Sequence, residues 1–182
     1  MFGIILNRLI PVQKNKAPAL GANEIAPNMW IQKKTFLAYA LCMLTLTEMI
    51  DLSIVAVALP QIMGALGANI QQIAAITTSY IVMVAIFTPI TGLCIKKYGL
   101  KKLILFATIL FGTASVLCGF ATKLPQIILF RVFQGIGAAF FTPITQSYID
   151  LNFNEEQKPK IMALYSSCIV VGPVLGPTLG GI

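Results

Sequence analysis

Five stretches of the 182-residue sequence are apolar and long enough to cross a lipid bilayer. A bilayer core needs about 20 consecutive apolar residues of helix. The stretches 35–59, 73–95, 103–122, 124–149 and 161–182 meet that requirement. The first carries only Glu48 and Asp51, the fourth only Arg131, and the others no charge at all. The pattern predicts an all-α integral membrane protein with five transmembrane helices. Composition closes the other routes. With 57% hydrophobic and 10% charged residues, the chain is far from the low hydrophobicity and high charge that disorder requires. It is also too apolar for a soluble domain, which averages about 25% charged residues.

The charges outside the spans set an orientation. Basic residues number 13 against 6 acidic ones. Arg8, Lys14, Lys16, Lys33 and Lys34 precede the first span, Lys96, Lys97, Lys101 and Lys102 follow the second, and Lys158 and Lys160 precede the fifth. Only Lys123 and Arg131 lie elsewhere. Cytoplasmic loops collect Lys and Arg. The N-terminus and the connections at 96–102 and 150–160 are therefore expected on the cytoplasmic side of the cell (inner) membrane, and the connection at 61–72 and residue 182 on the outer side. The basic balance is a topology signal, and nucleic acid is not expected as a partner. Residues 1–34 read as a flexible cytoplasmic tail. They are no signal peptide, because the charge follows the short apolar start and Pro11, Pro18, Gly21 and Pro27 break a long helix. Trp30 reads as an interfacial anchor.

Histidine is absent, so His-based zinc sites, Ser-His-Asp triads and His proton relays are excluded. Proton chemistry is left to carboxylates. Cys42, Cys94, Cys118 and Cys168 form no C-x-x-C pair and read as small packing residues. With no phosphate loop, nucleophile–base pair or metal cluster, the sequence predicts neither an enzyme nor a cofactor.

Ionisable groups inside spans cost about 2.5–3.5 kcal/mol each on insertion scales and are functional candidates by default. At the helical rise, Asp51 lies roughly 24 Å from the inner end of its span and about 13 Å from the outer end. Arg131 lies about 10 Å from the outer end of its own. Similar depth makes a buried Asp51–Arg131 pair the economical arrangement. Glu48, three residues before Asp51, shares nearly the same helix face. Two carboxylates sharing one arginine cannot both be comfortably ionised, so one is expected to take up protons; the alternative is a static structural pair.

Small residues mark two close helix contacts. In Arg131-Val-Phe-Gln134-Gly135-Ile-Gly-Ala138-Ala139, the residues Arg131, Gly135, Ala138 and Ala139 share a side. In the fifth span Cys168, Gly172, Gly176 and Gly180 form a ridge of period four. Pro173 and Pro177 there leave the carbonyls of Ile169 and Pro173 without helical donors, and the helix is expected to bend. Gly92, Lys97, Gly99 and Lys101 belong to a short basic turn in which Gly99 suits a tight reversal.

Together these four stretches resemble the major facilitator superfamily, and most nearly its EmrB/QacA-type drug:proton antiporters of fourteen spans. Residues 48–60 resemble the first-span motif L-D-x-T-I-V-N-V-A-L-P, with Asp51 on its acidic position, Ser53 for the usual Thr and Ala56 for the usual Asn. Arg131, Gln134 and Gly135 fit the fourth-span R-x-x-Q-G motif, linked in the family to proton transfer. Gly172, Pro173, Gly176, Pro177, Gly180 and Gly181 fit the fifth-span antiporter motif G-P-x-x-G-P-x-x-G-G. The basic turn resembles G-x-L-A-D-R-x-G-R-K, but Lys96 stands where that signature has Asp and Leu100 where it has a basic residue.

The resemblance, covering about residues 35–182, implies a proton-coupled exporter of amphipathic small-molecule drugs, with Asp51 carrying or gating the proton and Arg131 as its partner. It also implies an incomplete architecture. Superfamily transporters pair two six-span halves around the substrate, whereas these five spans make an incomplete six-helix half. A truncated product or an incomplete reading of a longer gene, inactive alone, is the expectation. The alternatives are a non-transporting membrane fragment, or part of a metabolite transporter of the same superfamily.

Overall fold

The computed structural model describes residues 27–180. All regular structure among them is helical: α1 (Pro27–Leu66), α2 (Ile70–Phe87), α3 (Thr91–Tyr98), α4 (Leu100–Gly119), α5 (Leu124–Ala138), α6 (Phe141–Asn152) and α7 (Lys158–Gly180). Five segments are long and apolar enough to span a membrane. They are Lys34–Leu66 within α1, α2 itself, α4, α5 continued by α6, and Lys158–Thr178 within α7. The tail read over 1–34 lies outside the described residues up to 26, as does Gly181, and the side chain of Trp30 is likewise not described.

Several boundaries differ from the hydropathic reading, each for a local reason. Helix α1 starts at Pro27, which was expected to break a helix. Proline is favoured in a first helical turn, where its missing N–H has no partner to lose. The same helix runs through Pro60 to Leu66, so the outer connection expected over 61–72 shrinks to 67–69. Gly67 turns the chain there with φ 58°. Asn69 then starts α2 with a capping box: its side chain accepts from Gln72 N at 2.8 Å, and Gln72 Oε1 accepts from Asn69 N at 3.0 Å. The second span breaks at 88–90, around Pro89, and the fourth at 139–140, ahead of Pro143. Proline at each place removes a backbone donor. Thr91 Oγ1 donates to Ala139 O at 3.4 Å, the carbonyl that Pro143 leaves without its helical donor. Helix α7, by contrast, continues unbroken through Pro173 and Pro177.

The fourth span is the most buried of the five. Helix α5 packs against α4 on one side and α2 on the other, while α1 packs against α7, α6 and α2. Leu41, Tyr80, Ile104, Phe111, Phe141 and Ile144 belong to one core cluster, in which Phe111 meets Phe141 edge to face at 5.3 Å between ring centres. Phe106, Ile109, Val116 and Val174 are exposed, as outward faces turned to lipid tails require. Cys42 and Cys168 are buried together beside Ile149 and Tyr165. All four cysteines are free thiols.

Candidate functional site

Helix α1 carries Thr45, Glu48 and Asp51 at three-residue spacing, so one stripe of an otherwise apolar helix is polar. Each of these side chains faces another helix. Thr45 Oγ1 is bonded to Leu41 O at 3.2 Å and lies 3.5 Å from Thr145 Oγ1 of α6. Asp51 faces α5, where Arg131 Nη1 donates to its Oδ2 at 2.7 Å; the two side chains are 5% (Arg131) and 19% (Asp51) exposed. Glu48 is 5% exposed, and its Oε2 has no hydrogen-bond partner among the described residues. The structure thus brings Asp51 and Arg131 into direct contact and places Glu48 one turn away.

Small residues allow this approach. A Cβ at Gly135 would stand 2.6 Å from Tyr80 O and 3.0 Å from Met83 Cβ, so only glycine lets α5 lie so close to α2. That closeness puts the ring of Tyr80 5.8 Å from the Arg131 guanidinium carbon, within cation–π range. Gly137 plays the same part toward α4, where a Cβ would stand 2.8 Å from Phe111 N. Gln134, fully buried, accepts from the Cys118 thiol at 3.9 Å.

On its opposite flank α1 meets α7. A Cβ at Gly172 would collide with Met49, and one at Gly176 with Ser53. Ser53 Oγ donates to Pro173 O at 3.2 Å, the carbonyl deprived of its helical donor by Pro177. The basic turn stands apart from all of this. Gly99 joins α3 to α4 with φ 81°, while Gly92 faces open space, and Lys97 stacks 5.3 Å over Tyr98. Lys97 and Lys101 form no ion pair among the described residues, and the helical rise places Lys97 roughly 25 Å along the chain beyond Tyr80.

Tyr80, Gly137 and Thr45 were not singled out from sequence. A search for charges inside spans passes over an uncharged tyrosine. The run Thr77-Thr78-Ser79-Tyr80 is nonetheless a polar interruption of the second span, and that was the available signal.

The site holds two carboxyl groups, one guanidinium and a tyrosine ring inside a bundle of apolar helices. Only one of the two acids has a cation at bonding distance, so the cluster holds one acidic group more than it has basic ones.

Residues 41–182 match the family model of the Major Facilitator Superfamily. The chain is 41% identical to the multidrug export protein EmrB of Haemophilus influenzae over 145 residues, 80% of this chain and 28% of that protein. It is 39% identical to EmrB of Escherichia coli K12 over 142 residues, 78% of this chain and 28% of that one. The fatty acid resistance protein FarB of Neisseria gonorrhoeae is 39% identical over 134 residues, 74% of this chain and 26% of FarB. The chain thus spans little more than a quarter of the length of these relatives. With a family match over most of its length and an all-helical bundle of five membrane-spanning segments, this chain belongs to the major facilitator superfamily.

Proposed function

We propose that the chain is the N-terminal part of a proton-coupled multidrug efflux transporter, a secondary active antiporter, in which Glu48, Asp51 and Arg131 form the coupling cluster. The observation that carries this reading is the Asp51–Arg131 pair at 2.7 Å, set inside apolar helices beside a buried second carboxyl group. Buried charges in a membrane are costly, and a cluster with one acid in excess has a protonation state to change. The multidrug export relatives supply the substrate class: amphipathic small-molecule drugs. The Gly172–Ser53 flank supports the reading as a closely packed helix pair on which the bundle can rock. Residues 1–34 serve as a cytoplasmic tail, and residues 35–182 as the transport portion in the inner membrane.

Two experiments test this. In the first, residues 35–182 replace the matching segment of E. coli EmrB, and the chimera is expressed in a drug-sensitive cell. Lowered dye accumulation that a protonophore reverses is expected. A chimera that inserts and exports dye regardless of the proton gradient would overturn the proton-coupled reading. The 182-residue chain alone is expected to insert and leave dye accumulation unchanged. In the second, a cysteine at Gln71 is expected to react with an impermeant thiol reagent in whole cells. Labelling only after the membrane is broken would reverse the proposed orientation.

A further inference from the structure

We infer that Glu48, rather than the motif position Asp51, is the group that takes up and releases the proton. The inference rests on the proton-coupled reading for its role in transport, but its test does not. The two acids sit one helical turn apart and differ in what balances them. Asp51 accepts from Arg131 at 2.7 Å. Glu48 is the more deeply buried, its Oε2 has no partner among the described residues, and neither ion pair there includes it.

The groups around Glu48 supply no second cation. On α1 the neighbouring acid is Asp51. Helix α2 contributes Tyr80 and α7 contributes Tyr165, each near enough to feel the Glu48 charge. Helix α5 contributes Arg131, whose Nη1 bonds Asp51 while its Nε has no partner among the described residues; its one charge is balanced by Asp51. Helix α6 contributes nothing ionisable there: Tyr148 donates its hydroxyl to Lys34 O, and Asp150 pairs with Lys158. With all three charged groups ionised, the cluster carries a net negative charge inside an apolar bundle. One proton makes it neutral.

Geometry decides which carboxyl group holds that proton. On Asp51 it would weaken the one short charged contact and leave Arg131 facing an unbonded acid. On Glu48 it removes an orphaned anion and leaves the Asp51–Arg131 pair intact. The step is a simple exchange: a Glu48 oxygen gains a proton from water on one side, and the same O–H bond gives it up to water on the other. When Glu48 is ionised, it competes with Asp51 for Arg131. Both acids are on α1, so loss of the proton draws Arg131 along α1 from Asp51 toward Glu48, which links protonation to the register of α1 against α5.

Dicyclohexylcarbodiimide provides the test, because it modifies protonated carboxyl groups in apolar surroundings. The 182-residue chain is reconstituted in lipid vesicles, treated across a pH series and mapped by peptide mass spectrometry. Label is expected on Glu48 and not on Asp51. Labelling should fall about tenfold for each pH unit above its midpoint, vanish in Glu48→Gln and weaken at a given pH in Asp51→Asn, where Arg131 is freed to pair with Glu48. Label on Asp51 in the unmodified chain, label elsewhere that survives Glu48→Gln, or an unlabelled Glu48 would each overturn the assignment. If Glu48 is labelled while the EmrB chimera ignores a protonophore, the assignment of the proton stands and the proton-coupled reading falls. An unlabelled Glu48 in a chain whose chimera obeys the protonophore defeats the assignment alone.

Discussion

Helix α1 is held on two flanks by opposite means. Toward α5 the contact is made by charge: Arg131 reaches Asp51 at 2.7 Å from a helix that glycine brings close to α2. Toward α7 it is made by absence: Gly172 and Gly176 leave no side chain between the α7 backbone and Met49 and Ser53. The first is charged, short and directional. The second is short-ranged, closed by the Ser53–Pro173 hydrogen bond, and involves no ionisable group. Helix α1 also packs against α6 and α2, so the two flanks differ in what acts on them: a change of charge reaches the α5 side and leaves the α7 side untouched.

The charged flank should be the more sensitive to single substitutions. Arg131→Ala leaves two carboxyl groups without a cation, and removal of one member of a buried pair typically costs about 3–5 kcal/mol. Asp51→Ala orphans the arginine at similar cost. The double variant should lose less than the sum, since neither charge is then stranded. Thermal unfolding of the chain in detergent measures all three. Strict additivity would mean that the two side chains do not stabilise each other.

The glycine flank should come next. Gly176→Ala places a methyl group against Ser53, and overpacking of this kind costs typically 1–3 kcal/mol, here taken as about 2. Gly92→Ala is the control, since a Cβ there meets nothing within 4 Å, and it should stay within about 0.5 kcal/mol of the unmodified chain. Equal melting temperatures for the two variants would show that α7 does not lie against α1 as described.

The same contrast explains what the sequence made legible. Charges are rare in a membrane span, so Glu48, Asp51 and Arg131 stand out from any reading, and their depths alone suggest that two of them meet. Glycines are common, and their letters do not reveal their surroundings. Gly112 faces open space whereas Gly137 lies against the backbone of α4; hydropathy treats both alike. Tyr80 was overlooked because its role comes from α5 approaching α2 at Gly135, a tertiary fact. The number of spans could be read, but their interruptions could not. Pro60, Pro89, Pro143, Pro173 and Pro177 all lack a donor, yet some interrupt a helix and others do not. The outcome depends on neighbours that are distant in sequence.

Two of those neighbours are hydroxyl groups, and they lead to the smallest predicted effect. Pro177 frees the carbonyl of Pro173, and Ser53 of α1 donates to it at 3.2 Å. Pro143 frees the carbonyl of Ala139, and the Thr91 hydroxyl of α3 shares its one proton between that carbonyl at 3.4 Å and Phe87 O at 3.2 Å. In lipid a freed backbone carbonyl must find a donor within the protein, so each hydroxyl acts as an external replacement for a lost helical N–H. Ser53→Ala should then cost about 1 kcal/mol, the net worth of one hydrogen bond. In a Pro177→Ala background the helix recovers its own N–H donor for Pro173 O, and Ser53 is no longer needed for it. Ser53→Ala should then cost a few tenths of a kcal/mol or less, a coupling between the two positions that a double-mutant cycle measures directly. Equal costs in both backgrounds would mean that the hydroxyl does not stand in for the missing donor, and that smallness alone holds α1 against α7.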